Sequence, residues 1–108
     1  MKKRKIKIKS NTWTIKYLNK SNDLMDGNCD ESSKTMILYL GNKDFNNFKN
    51  NKKYFKKVLR HELIHAFLIE CGLGSCLQSN ELGHDEQIID WFARIYPEYK
   101  KVCNKLGV

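Results

Sequence analysis

Val58-Leu59-Arg60-His61-Glu62-Leu63-Ile64-His65-Ala66-Phe67 is the stretch from which the rest of the chain is best read. From about Lys52, apolar residues recur at spacings of three and four: Phe55, Leu59, Leu63, Ala66 and Phe67, with Val58 beside them. That period predicts an amphipathic helix over about 52–71, closed by Gly72 as its C-terminal cap. Residues four apart share a helix face, so His61 and His65 point two imidazoles at one spot. Two nitrogens held there suit two corners of a tetrahedral zinc site, and Glu62, one residue on from His61, can reach a water at the metal. Two of the three histidines in the chain fall within these five residues. A metal site therefore explains the pattern better than a helix carrying scattered polar residues.

A catalytic zinc takes three protein ligands and keeps one position open. The third must come from a second element, and the candidates are Glu70, Glu81, His84, Asp85, Glu86 and Asp90. Glu70 shares the first helix but lies five residues past His65, off the ligand face. A second predicted helix, about 81–96, carries Ile88, Ile89, Trp91, Phe92 and Ile95 on its apolar side and can deliver the His84–Asp90 cluster. Within that cluster Glu86 and Asp90 are four apart. Glu86 is placed to ligate, and Asp90 to accept the free ring N–H of a ligand histidine. His84 or Asp85 could instead replace Glu86 as ligand, and His84 could contact an oxyanion or substrate. Pro97 is expected to break this helix and to open a short C-terminal one, Glu98 to Leu106, ended by Gly107.

Ahead of the helices the period is two. Lys5 to Lys9 alternates Lys and Ile, and Thr12 to Leu18 places Trp13, Ile15 and Tyr17 on one side. Ser10-Asn11 between them reads as a tight turn. Asn19 to Asp23 and Met25 to Asn28 read as further turns, and Cys29 to Lys34 as a short polar link. Thr35 to Leu40 is the most apolar strand, ended by Gly41-Asn42, and Asp44 to Asn51 reads as a loop or frayed helical start. The expected fold class is α+β, one domain over residues 1–108 with basic N-terminal strands in residues 1–20.

The net charge of +8 is uneven: residues 1–60 hold 16 Lys/Arg against 5 Asp/Glu, and residues 61–108 hold 4 against 7. Nucleic-acid binding by the basic half is the lesser expectation, because aromatic interleaving suited to base stacking is not evident in the N-terminal Lys run. No apolar run is long enough to span a membrane. The charged start Met1 to Lys5 is followed by Ile6-Lys7-Ile8-Lys9 rather than an apolar segment, so no export signal is read and an intracellular setting is expected. Cys29, Cys71, Cys76 and Cys103 are accordingly expected as free thiols, with Cys71 and Cys103 on buried helix faces.

His61-Glu62-Leu63-Ile64-His65-Ala66-Phe67, together with Asp85 to Ala93 and Pro97, resembles small metallopeptidases of phages and mobile elements, similar to the ImmA/IrrE and SprT-like groups. Gly27 to Asp30 and Lys34 to Leu40 fit their short loop and strand, so the resemblance covers roughly residues 27 to 97. The spacing of twenty residues between His65 and Glu86 is similar to the gluzincin arrangement. The resemblance implies a minimal zincin-like domain with a three-stranded antiparallel sheet. By it, His61, His65 and Glu86 are the zinc ligands and Glu62 the general base. The implied function is a zinc-dependent endopeptidase acting on a protein or peptide substrate, held extended along the Thr35–Leu40 strand if that strand is an edge. No appended DNA-binding or zinc-ribbon domain is expected in residues 1–108, which is a departure from these groups. The alternative is a non-catalytic, metal-binding regulatory protein that meets a protein or nucleic acid through its basic half.

Overall fold

The computed structural model describes residues 2–46, 51–73 and 86–108. The chain is α+β. Strands β1 (Lys2–Ile8), β2 (Asn11–Leu18), β3 (Gly27–Asp30) and β4 (Thr35–Tyr39) precede helices α1 (Lys43–Asn46), α2 (Asn51–Glu70) and α3 (Glu86–Leu106).

The sheet has four strands in the order β1-β2-β4-β3, where three antiparallel strands were expected. It consists of two antiparallel hairpins laid side by side, β1–β2 and β3–β4, joined along a parallel β2–β4 seam. The added strand is β3. Its four residues are too few and too polar to show a period, and backbone pairing with β4 creates the strand. The first turn is Lys9-Ser10, one residue earlier than expected, because Lys9 takes the left-handed conformation (φ 57°) and Ile8 pairs with Asn11. The second is knotted by Asp30, whose carboxylate accepts from the Ser32 backbone N–H and from the Ser32 and Ser33 hydroxyls. Thr35–Tyr39 lies between β2 and β3, so it is not an edge; the edges are β1 and β3.

Alternation along the strands buries Ile8, Trp13, Ile15, Met36 and Leu38 on one face, where the helices pack. From α2 come Val58, Leu59, Leu63, Ala66, Phe67 and Leu68; from α3 come Trp91, Ile95, Tyr99, Val102, Cys103 and Leu106. Helix α2 closes as its sequence predicts. Gly72 is left-handed (φ 76°), its N–H reaches Ile69 O at 3.0 Å, and the Leu73 N–H reaches Leu68 O at 2.7 Å. Gly107 repeats this at the end of α3.

Pro97 does not divide α3, which runs unbroken from Glu86 to Leu106. The apolar stripe continues on both sides of the proline, and its burial outweighs the lost backbone hydrogen bond. The Tyr99 hydroxyl also donates to Arg60 O of α2 at 3.1 Å. Among the described residues, no helix is long and apolar enough to cross a membrane.

Candidate metal centre

His61 and His65 stand one turn apart near the middle of α2, their ring centroids 4.9 Å apart. His61 is exposed and His65 half-buried. Their Nε2 atoms approach to 3.2 Å. Two nitrogens each 2.0–2.1 Å from one tetrahedral ion are separated by about 3.3 Å, so the pair has the bite of two zinc ligands. Without metal the same distance serves a hydrogen bond, one imidazole donating to the bare nitrogen of the other. Burial, and then the neighbouring His61, hold His65 below the usual histidine range. A neutral ring is the form that binds metal.

Glu62 is among the few buried polar residues, 5% exposed. Its side chain lies on β3 beneath α2. A Cβ placed on Gly27 would meet Glu62 Oε2 at 2.9 Å and Cγ at 3.1 Å, so only glycine leaves room for the carboxylate. Burial pushes the Glu62 carboxyl up to about 7, within reach of both its protonated and ionised forms near neutrality. Cys29, two residues along the same face of β3, is half-buried; burial first and the Glu62 carboxylate second push its thiol up to about 12. It is a protonated thiol, not a nucleophile.

Glu70 is committed elsewhere, as its place off the ligand face requires. It accepts from Asn11 Nδ2 at 2.7 Å and from the Trp13 indole at 2.7 Å, and pairs with Lys34 Nζ at 3.1 Å. Burial alone would raise this carboxyl, but those three donors outweigh it and hold it below its ordinary value. Lys34 belongs to the β3–β4 turn and the other two partners to the β1–β2 hairpin, so Glu70 clamps both hairpins to the end of α2.

Glu86 opens α3 and Asp90 follows one turn later on that helix. Their side chains lie outside the described residues, as do His84, Asp85, Glu81 and Cys76 altogether. Among the described residues, no three His, Cys, Asp or Glu side chains converge on one point. The described part of the site is thus His61, His65 and Glu62, seated over Gly27. Tyr54 bonds Asp26 and Tyr99 bonds Arg60, so neither phenol is turned to the histidines. Cys29, Cys71 and Cys103 are free thiols; Cys103 is buried, and Cys71, just past α2, is half-buried.

Sequence reasoning missed Gly27 and Glu70. Gly27 looked like a turn glycine, and nothing in its surroundings marks the approach of a residue 35 positions away. Glu70 could be excluded as a ligand by its helical angle, but not assigned its three partners. No protein-family model, no curated protein and no solved structure matches the chain.

Proposed function

We propose that the chain is a zinc-dependent endopeptidase of a minimal zincin-like kind, acting on a protein or peptide substrate in an intracellular setting. The observation that carries this reading is the 3.2 Å separation of the His61 and His65 Nε2 atoms beside a buried glutamate of raised proton affinity. His61 and His65 would hold the ion, with Glu86 as third ligand and Asp90 orienting a ligand imidazole; His84 or Asp85 are the rival third ligands. The free thiols accord with a reducing compartment.

A zinc ion bound there supplies a Lewis acid and lowers the pKa of a water it carries. Glu62 would be the residue that accepts a proton from the attacking water and returns it to the leaving amine, two transfers that suit a carboxyl titrating near neutrality. The wall formed by β3 keeps Glu62 in place and partly dry. Because β3 is a sheet edge among the described residues, its outer side offers an extended peptide a strand to pair with beside Glu62. This replaces Thr35–Tyr39 in that role.

The test is metal analysis joined to peptide hydrolysis. The purified chain should carry about one zinc per molecule. His61→Ala and His65→Ala should each lose it, and Glu62→Gln should keep zinc while losing hydrolysis by a factor of at least about 100. Zinc-dependent hydrolysis surviving in Glu62→Gln would refute the mechanism, and absence of stoichiometric metal would refute the site.

A further inference from the structure

Among the described residues, the helices cover only one face of the sheet. The opposite face collects, by the strand register, Lys3, Lys5 and Lys7 from β1, Lys16 from β2, and Ile37 and Tyr39 from β4. Lys3 is paired directly with Lys16, and Lys16 lies beside Ile37 across the parallel seam. Along β1 the three lysines repeat every second residue, about 6.8 Å apart. All three are exposed and Lys16 is half-exposed. Among the described residues, none of these four lysines forms an ion pair with a carboxylate. The one acidic strand residue on this face is Asp30, at the far edge, already bonded to Ser32 and Ser33.

Like charges facing each other across a strand pair are unfavourable unless an anion lies over them. The row therefore calls for a ligand with regularly spaced negative charge. Beside it Ile37 and Tyr39 are half-buried, yet they neither belong to the core nor pack against it. They form a small apolar shelf flanking the lysines. A ligand that presents phosphates along one side and flat apolar rings along the other fits both features. A duplex hides its rings, and an acidic peptide has none at regular spacing.

We propose that this open sheet face binds single-stranded nucleic acid, with Lys3, Lys5, Lys7 and Lys16 against the phosphates and Tyr39 stacked on a base. The aromatic partner that the N-terminal Lys run lacks in sequence is supplied by β4, across β2 from that run. The site is on the side of the sheet away from α2, and the proposal does not depend on the metallopeptidase reading.

The test uses the full chain and fluorescein-labelled oligothymidylate and oligouridylate of roughly twenty nucleotides, followed by anisotropy over a salt series. The two probes separate DNA from RNA preference. Binding should weaken with salt at a log–log slope near −3, about 0.7 for each of four neutralised phosphates. Lys3→Glu/Lys5→Glu/Lys16→Glu should weaken binding at least about tenfold and flatten that slope. Tyr39→Ala should weaken it about tenfold with the slope unchanged, since stacking releases no counterions. The same three lysines changed to Gln give a second reading if the Glu set unfolds. A charge-matched control on the helices, Lys52→Glu/Lys56→Glu/Lys101→Glu, should change affinity by no more than about twofold. Equal loss in that control would reduce the effect to net charge and overturn the proposal. So would equal affinity for a duplex, equally effective competition by polyglutamate, or no binding at low salt.

Discussion

The Glu62 carboxylate rests on the bare α-carbon of Gly27: a methyl group there would stand 2.9 Å from Oε2 and 3.2 Å from Cδ. One residue of β3 thereby sets where the acid group of α2 sits. Gly27→Ala must displace Glu62, and buried as the latter is, it has little room to yield. We expect a loss of about 1–3 kcal/mol in urea unfolding. The loss should be smaller when Glu62 is already Ala, with a coupling of about 1 kcal/mol or more between the two sites. Additive effects would show that the two residues do not meet.

The raised Glu62 carboxyl makes a prediction about pH. Its folded value of about 7 lies above the ordinary 4.5, so the folded state holds a proton that the unfolded chain releases. The resulting stabilisation is full below about 4.5 and is lost as pH rises to about 7. His65, held low by burial, acts in the opposite sense, destabilising the fold as acid protonates it. Comparing metal-free wild type with Glu62→Gln cancels His65. Glu62→Gln should gain stability relative to wild type on going from pH 5 to pH 8, roughly the interval bracketing the shift. A constant difference across that range would show that the Glu62 carboxyl is not raised.

Glu70→Ala removes a clamp without touching the histidines. It leaves the Trp13 indole N–H, on a fully buried side chain, without its acceptor, and it frees Lys34. The expected cost is about 3 kcal/mol. Zinc binding by the purified variant should be unchanged where it remains folded. Loss of metal at full stability would instead place Glu70 at the centre.

Pro97 lies inside a continuous α3, so its ring removes one N–H from the helix ladder. Pro97→Ala restores that donor for the carbonyl of Ala93. The gain in the folded state exceeds the added freedom of the unfolded chain, and we expect a rise in stability of about 1 kcal/mol. A fall would mean that the helix is shaped around the proline.

The parts of the molecule with local periodicity were legible in the sequence. Phe55, Leu59, Leu63 and Ala66 mark α2 by spacing, Gly72 marks its end, and Trp13, Ile15 and Tyr17 mark the inner face of β2. What escaped is non-local. Gly27–Asp30 becomes a strand only because β4 lies beside it, and Thr35–Tyr39 is interior only because β2 and β3 flank it. Pro97 carries a strong local signal for a helix break, but burial of Tyr99, Val102 and Leu106 overrides it. The two histidines and Glu62 could be placed from their spacing; the glycine beneath them could not.

The parallel seam between β2 and β4 also bears on the order of assembly. Each hairpin closes over a turn of a few residues and can form on its own in microseconds, whereas the seam joins residues some twenty positions apart, as in Thr14 with Thr35. Docking of preformed hairpins should therefore limit the folding rate. Glu70 holds the first hairpin through Trp13 and the second through Lys34, so it acts after both exist. A latch of this kind should slow unfolding far more than it hastens folding.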